Sequence, residues 1–434
     1  MAVDLPLGWE RVALSDAMEA IIDYRGKSPT KTTSGVPLIT AKVVKNGRIE
    51  TPNEFIDPGE YSNWMRRGLP QFGDVLVTTE APLGEVAQIG DARVALAQRL
   101  IALRGKRGHV DNTFLKYIML SDFVQEQLRA RSSGTTVLGI KQSELRKIEL
   151  PLPKFREQVA IAGVLNSFDE KIELNHRMNR TLEATARAIF NAWFIDFEPI
   201  KAKAAGASSF HGIPQDIFEK FPERLIDDDP GAIPAGWSKG KLGDIGELNP
   251  ESWSARRFPD QLEYVDLANT KWGAIQQTEI YDWDSAPSRA RRVLRSGDTI
   301  VGTVRPGNGS YALVDRNSLT GSTGFAAIRP NHSYYREQIY CAATSTENIA
   351  RLAHLADGAA YPAIRPEVVA GTEIVLVPQS ISEAFSIIAA PLLDLIGTNQ
   401  HSNRTLAAIR DTLLPKLISG EIRVPDAESL GDGQ

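Results

Sequence analysis

The chain has 434 residues, a formal net charge of −5 and a hydrophobic share of 42%. That length allows two or more buried cores, and the lack of an apolar run of about 18 residues predicts no transmembrane helix. The N-terminus lacks the basic and apolar regions of a secretory signal, and a lone cysteine, Cys341, cannot form an internal disulfide, so we expect a cytoplasmic protein. Its apolar neighbours predict that Cys341 is a buried helix residue and not a nucleophile.

The first 150 residues alternate strand-like runs with turn signals. Strands are predicted at 74–79, 84–89 and 100–103, followed by a helix at 112–130. The same order returns later, where strands at 298–301, 311–314 and 325–328 precede a helix near 334–355. The sequence therefore predicts two globular domains of the α+β class.

Short motifs recur about 224 residues apart. Gly73-Asp74 returns as Gly297-Asp298, and Gly134–Ile140 returns as Gly358–Ile364. Duplication on this scale indicates two equivalent domains, which suit a target with two parts.

A long amphipathic helix is predicted after each domain. Apolar positions follow a spacing of three and four residues, and two asparagines fall at the same places in both helices. We predict that the helices pack against each other as an antiparallel coiled coil whose asparagines fix the register. The alternative is that each helix packs only on its own domain. The predicted seam residues are Leu165, Phe168, Ile172, Asn175, Asn179 and Leu182 in the first helix and Leu392, Ile396, Asn399, Asn403 and Leu406 in the second.

These patterns divide the chain into six segments. The predicted segments are a first recognition domain at 1–150, a spacer helix at 151–199, a connector at 200–233, a second recognition domain at 234–378, a second spacer helix at 379–424 and an acidic tail at 425–434.

The sequence carries no catalytic signature. Pro306–Ser310 lacks the lysine and the following helix of a P-loop, and no glycine-rich methyl-donor motif is present. The six histidines show no metal-ligand spacing, so we predict neither a metal site nor a bound cofactor. The residues favour a binding protein, with an enzyme of unrecognised site as an alternative.

Basic and hydroxyl-bearing loops recur at matched places in both domains. Such loops are typical of DNA binding, in which arginine reads base edges and small polar groups contact phosphates. One basic loop alone is more often a solvated surface, but the recurrence favours DNA. The candidates are Arg25, Lys27, Lys31, Lys42, Lys45, Arg48, Arg131, Ser133, Thr135, Thr136 and Lys141 in the first domain and Arg289, Arg291, Arg292, Arg305, Asn308, Ser322, Thr323, Tyr361 and Arg365 in the second.

With these motifs, essentially the whole chain resembles the DNA-specificity subunits of type I restriction-modification enzymes. The second copy departs from the family pattern at Ser382-Glu383 and at Ala359–Pro362. The resemblance is carried by Gly73–Val77, Gly134–Ile140, Ile148–Pro153, Glu157-Gln158, Trp193–Pro199 and Leu413–Ile422.

The resemblance implies that each domain reads one half of a split site in double-stranded DNA and that the helices set the gap. It also implies two methyltransferase subunits that use S-adenosylmethionine and two restriction subunits that use ATP and Mg²⁺, with no catalysis in this chain and no membrane. Phe190, Phe194, Phe197 and Leu414 are candidate methyltransferase contacts, unless they pack on the neighbouring domain. The alternative function is a non-catalytic scaffold without DNA specificity.

Overall fold

A computed structural model describes residues 5–24, 28–45, 47–90, 93–228, 231–358 and 361–424. The chain forms two compact units: unit 1 takes the residues up to Glu173 together with those from Asn403 onward, and unit 2 spans Leu174–Ser402. Both division points fall inside long helices, so each unit contains one α+β domain and part of each helix. The predicted DNA contacts Arg25 and Lys27 and the acidic tail lie outside the described residues.

Unit 1 is built on a four-stranded antiparallel sheet with the order β2-β10-β7-β8. A smaller sheet, β6-β3-β9, and the pairs β1-β11 and β4-β5 complete the domain. Its strands are β1 Glu10–Ala13, β2 Met18–Asp23, β3 Val36–Ile39, β4 Val44–Lys45, β5 Arg48–Ile49, β6 Phe55–Ile56, β7 Val75–Thr79, β8 Leu83–Gln88, β9 Ala95–Leu96, β10 Leu100–Gly105 and β11 Glu149–Leu152. Its helices are α1 Leu14–Ala17, α2 Tyr61–Trp64, α3 Asn112–Leu120, α4 Asp122–Ala130 and α5 Gln142–Leu145, followed by the long helix α6 Phe155–Phe194.

Unit 2 repeats this plan with the sheet β15-β24-β21-β22 and the pair β14-β25. A second sheet, β19-β16-β23-β20, lies beside them. The strands are β12 Leu225–Asp227, β13 Ala232–Pro234, β14 Ser238–Lys241, β15 Gly246–Leu248, β16 Gln261–Val265, β17 Thr270–Lys271, β18 Ala274–Ile275, β19 Glu279–Asp282, β20 Ala290–Leu294, β21 Thr299–Gly302, β22 Tyr311–Leu313, β23 Leu319–Ser322, β24 Phe325–Pro330 and β25 Glu373–Leu376. The helices are α7 Glu198–Ala204, α8 Gln215–Phe218, α9 Leu242–Ile245, α10 Arg336–Ala343, α11 Thr346–His354, α12 Pro366–Ala370 and the long helix α13 Gln379–Ile418.

The internal repeat is confirmed by matching backbone hydrogen bonds. Gly73 N donates to Ile89 O at 2.8 Å in unit 1, and Gly297 N donates to Val314 O at 2.9 Å in unit 2. Both glycines have positive φ, 87° and 92°, a conformation that favours glycine. The repeated Gly-Asp motif is therefore a turn that the fold needs at the start of a central strand.

Each predicted domain helix is two shorter helices. Ser121 separates α3 from α4 with an extended backbone, and its hydroxyl donates to Ile118 O at 2.6 Å. In unit 2, Ser345 caps α11 by accepting from Asn348 N at 3.1 Å. Serine competes with the helix for backbone hydrogen bonds, which explains the break in both copies.

The predicted antiparallel pairing of the long helices is confirmed within each unit. In unit 1 the first half of α6 meets the end of α13, where Arg410 Nη1 lies 2.6 Å from Asp169 Oδ1. In unit 2 the end of α6 meets the first half of α13, and Asn399 Nδ2 donates to Asn179 Oδ1 at 2.8 Å. Every predicted seam residue is buried or half-buried. Each helix also packs on the domains, but the alternative in which a helix packs only on its own domain is wrong, because α6 and α13 contact each other.

Helix α13 passes through Pro391 without ending, although proline lacks an amide donor. Pro391 and Ile387, whose carbonyl loses that donor, are both exposed, so water can satisfy the carbonyl.

By length and composition alone α13 could cross a membrane, whereas the sequence analysis predicted no transmembrane helix. This is weak evidence, because the helix carries the seam asparagines and helps to form both cores.

The predicted connector at 200–233 is folded against unit 2. Ile200, Ile217, Phe221 and Ile233 are buried in the core that contains the end of α6. The segment is therefore part of the second domain's packing and not a loose tether.

A buried carboxylate holds each Gly-Asp turn. Asp74 accepts two bonds from the Arg104 guanidinium, both at 2.8 Å, and Asp298 accepts two from Arg329 at 2.9 Å. Both carboxylates are 1% exposed. Hydrogen bonding to Asp74 raises the pKa of Arg104, which shows that the pair favours its charged form.

We predict that Asp74→Ala lowers the thermal stability of the chain more than Asp298→Ala. Loss of Asp74 leaves Arg104 without its carboxylate, at a cost of about 3–5 kcal/mol, whereas Arg329 keeps Glu251 as a second partner. Thermal unfolding of the full chain measures the difference. Glu149→Ala, which breaks the solvent-exposed pair with Arg11, is the control and is expected to cost less than about 1 kcal/mol. Equal effects of all three substitutions would contradict this account.

Candidate nucleic-acid interface

In unit 2, a series of backbone hydrogen bonds brings four loops to one edge of the domain. Thr323 N donates to Arg289 O at 2.8 Å, and Thr303 N donates to Gly324 O at 2.8 Å. The series continues from Ile364 N to Thr303 O at 2.9 Å. The predicted contacts Arg289, Thr323, Arg305, Tyr361 and Arg365 lie on these loops, so the fold gathers residues that are far apart in sequence.

Arg305 and Tyr361 form the centre of this edge. The Arg305 guanidinium lies 4.8 Å from the centre of the Tyr361 ring, and Arg305 N donates to Pro362 O at 2.7 Å. Arg305 has a left-handed backbone, with φ of 48°, at the start of a short turn that contains Asn308. Tyr361 is 72% exposed. A guanidinium stacked on an exposed ring presents its hydrogen-bond donors in a fixed plane.

Arg289 and Arg365 flank this centre and are both exposed. Within the described part of the chain, neither forms an ion pair with a carboxylate. Arg365 stands directly before α12. These side chains can therefore meet phosphates without first breaking an internal pair.

Three predicted contacts of unit 2 have structural partners. Arg291 lies 4.5 Å from the centre of the Trp283 ring and donates to Ala290 O, and Arg292 donates to Ser252 Oγ at 3.3 Å. Burial lowers the pKa of Arg292. Ser322 is only 2% exposed and accepts a bond from Gly324 N, so its hydroxyl does not face solvent.

The equivalent edge of unit 1 uses the same backbone bonds. Ile140 N donates to Thr79 O at 3.0 Å, as Ile364 N does to Thr303 O, and Thr79 N donates to Arg99 O at 2.9 Å. Ser133 pairs with Gly139 and presents the loop between them, where Thr135 and Thr136 are exposed. Lys141 is exposed beside that loop.

The other predicted contacts of unit 1 lie in different settings. Lys42 is exposed and Arg48 is half-buried. Lys31, Lys45 and Arg131 form ion pairs with carboxylates. The pairs are Lys31 with Glu54 at 2.9 Å, Lys45 with Glu50 at 3.4 Å and Arg131 with Glu144 at 3.8 Å.

Sequence reasoning missed two residues at these edges. Arg99 has a φ of 78° and pairs with Glu80 at 2.8 Å beside the Thr79 strand end. Trp272 is 61% exposed next to the Arg305 turn. Neither belongs to a basic cluster, so a search for charge in the sequence could not find them.

The candidate methyltransferase contacts on α6 are instead core residues. Phe190 and Phe194 are buried, and the Phe194 ring centre lies 5.1 Å from that of Phe385 and 6.1 Å from that of Trp237. Phe197 packs on Trp237 at 5.8 Å. Of the two alternatives considered from the sequence, packing on the neighbouring domain is confirmed for these three rings. Leu414 packs partly buried against the core of unit 1.

The described residues contain no cluster of three or more His, Cys, Asp or Glu that could hold a metal ion. Cys341 is buried in α10, as predicted, and burial raises the pKa of its thiol to about 12. The site therefore offers hydrogen-bond donors, positive charge and aromatic faces, which are suited to binding.

The structure is thus a duplicated α+β protein with paired long helices and matched basic edges. Comparisons with known proteins show what it is similar to. Residues 6–184 match the type I restriction modification DNA specificity domain. The specificity subunit MjaIX of a Methanocaldococcus jannaschii type I restriction enzyme is 28% identical over 368 residues, which cover 82% of this chain and 78% of that one. The HindI specificity subunit of Haemophilus influenzae is 24% identical over 71% of this chain and 77% of its own length.

The same similarity is seen in the fold. The crystal structure of a type I restriction-modification S subunit from M. genitalium matches 96% of this chain and 98% of its own length with a TM-score of 0.51 at 17% identity. The domain match lies within the first half of the chain, and the alignments to the two specificity subunits cover 82% and 71% of it. Over most of its length the chain is similar to type I restriction enzyme specificity subunits.

We predict that Cys341 in the folded chain does not react with an aromatic disulfide reagent at pH 8. A thiol whose pKa is about 12 carries almost no thiolate at that pH, and the side chain is shielded from the reagent. Absorbance of the released thiolate measures the reaction, with the chain in denaturant as the control that reacts fully. Rapid reaction of the folded chain would contradict the buried position.

Proposed function

We propose that this chain is the DNA-specificity subunit of a type I restriction-modification complex and that each unit reads one half of a bipartite site. One observation carries the proposal. Equivalent backbone hydrogen bonds in the two units hold exposed basic, polar and aromatic side chains at the same edge of the same scaffold. The family relationship favours this role over a scaffold without DNA specificity.

The two edges differ in the residues that they present. Unit 1 offers a loop rich in hydroxyl groups with Thr135, Thr136 and Lys141, whereas unit 2 offers Arg305 stacked on Tyr361. Arginine binds guanine through two parallel hydrogen bonds, while threonine contacts phosphates or thymine methyl groups. Different residues on one scaffold suit different half-site sequences.

The long helices suit a spacer. Each has 40 residues and so a length of about 60 Å at 1.5 Å per residue, more than one DNA turn of about 34 Å. The chain would act without catalysis of its own, in the cytoplasm, with two methyltransferase subunits that use S-adenosylmethionine and two restriction subunits that use ATP and Mg²⁺. A net charge of −5 suits a subunit whose DNA affinity depends partly on such partners.

The test of this proposal substitutes Arg305 in the chain assembled with a type I methyltransferase subunit from the same organism. Arg305→Ala should weaken binding to the mapped site by about tenfold or more, because an arginine that contacts a base contributes roughly 1–3 kcal/mol. Arg305→Lys keeps the charge but loses the planar pair of donors, so it should bind with less discrimination at one position of one half-site. Fluorescence anisotropy at several salt concentrations measures both effects.

The matched control is Lys220→Ala, which removes an exposed charge from the connector of the same unit. It should leave affinity and selectivity unchanged. If Arg305→Ala and Lys220→Ala bind the site equally well, unit 2 does not read DNA through this edge.

The spacer role predicts that helix length sets the distance between half-sites. Insertion of seven residues at matched places in α6 and α13 keeps the seam in register and adds about 10 Å of helix, which corresponds to about three base pairs. Mapping of the methylated bases should then show the same two half-sites with a longer gap. An unchanged gap in an active complex would contradict the spacer role.

A further inference from the structure

Trp272 occupies a turn position that disfavours its side chain. Strands β17 and β18 form a hairpin whose two central residues, Trp272 and Gly273, have φ of 46° and 84°. Two-residue hairpins with positive φ at both centres strongly prefer Asn-Gly or Asp-Gly. A bulky residue at the first of these positions strains the backbone.

The first copy has the favoured sequence at this place. Strands β4 and β5 form the equivalent hairpin around Asn46-Gly47, although the placement of Asn46 lies outside the described residues. Gly47 pairs in parallel with Ala87, as Gly273 pairs with Ala312, so the two hairpins hold the same place in the two domains. The second domain therefore carries a tryptophan where the first copy has an asparagine, which fits this type of turn with less strain.

Trp272 lies against the turn that begins at Arg305. Trp272 N donates to Gly309 O at 2.7 Å, and a Cβ atom added at Gly309 would come within 2.6 Å of the indole. The Tyr311 ring supports the indole edge-on at 6.0 Å. The rest of the indole is open, since 61% of the residue is exposed. Trp272 thus packs on the end of the turn that carries Arg305 and Asn308.

The hairpin is held rigidly on its other side. Gln400 Nε2 of α13 donates to Gly273 O at 3.1 Å, and a Cβ atom at Gly273 would come within 2.8 Å of Tyr340 Oη. These contacts hold the hairpin, and with it Trp272, in a fixed position. A rigid, half-open indole beside a stacked arginine has the chemistry that packs on sugars and base edges.

We propose that Trp272 is a DNA contact of unit 2 and that its exposed indole face packs against the duplex beside the bases that Arg305 reads. The inference rests on the proposed function. It explains why a strained tryptophan is present at a turn where asparagine would be more stable. Loop stability alone does not account for it, because most of the side chain is left in water.

The test is Trp272→Asn, which recreates the Asn-Gly turn of the first copy. The substitution removes backbone strain from the turn, so the thermal midpoint of unfolding should stay equal or rise. The affinity of the assembled complex for its DNA site should fall about tenfold. Trp272→Phe keeps an aromatic face and should recover part of that affinity. Ile226→Thr, which removes an exposed apolar residue from the connector, should change neither property.

Two outcomes would overturn the inference while the proposed function stands. One is wild-type affinity in Trp272→Asn, and the other is a loss of affinity matched by a lower thermal midpoint, which would make the indole a loop support. If the unsubstituted complex binds its mapped duplex and a scrambled duplex equally, the proposed function fails and this inference fails with it.

Discussion

The structure depends on the antiparallel pairing of α6 and α13, because neither domain closes its core with its own local sequence. In unit 1, Leu165 of α6 is buried with Leu417 and Ile418 of α13. In unit 2, Phe190 of α6 packs on Phe385 of α13, with ring centres 6.0 Å apart. Each domain thus uses both helices as part of its hydrophobic core. Helix pairing and domain folding are therefore expected to be cooperative.

The contacts that attach each domain to the long helices use different polar groups in the two units. In unit 1 the half-buried Asp169 accepts from Lys116 at 2.8 Å and from Tyr117 at 2.6 Å. Burial alone would raise the pKa of Asp169, but the Lys116 charge and the hydrogen bonds lower it, while burial lowers the pKa of Lys116. In unit 2 Glu183 accepts from Tyr340 at 2.9 Å and from Arg187 at 2.7 Å. These networks orient each domain on the helices, since another orientation would separate the charged groups from their partners.

Sequence periodicity and the repeat predicted the central strands, the seam and the paired asparagines, because these features follow from local spacing. The sequence predicted a second long helix that contains Pro391, but it could not show how the backbone tolerates the proline, since that depends on water reaching one carbonyl. It also could not tell that Arg291 is held over Trp283 while Arg289 remains exposed, because long-range stacking decides which arginines reach solvent. The Trp272 turn escaped notice since its meaning lies in backbone angles and in the comparison between copies.

The central claim is that two equivalent domains on one helical spacer read two halves of one DNA site. Its most direct test is to express the chain with a type I methyltransferase subunit from the same organism and sequence the host DNA for modified bases. The account predicts a motif of two short blocks separated by a gap of fixed length, with one block altered by substitutions in unit 1 and the other by substitutions in unit 2. A modified motif that is continuous, or one whose two blocks both change when a single unit is substituted, would contradict it.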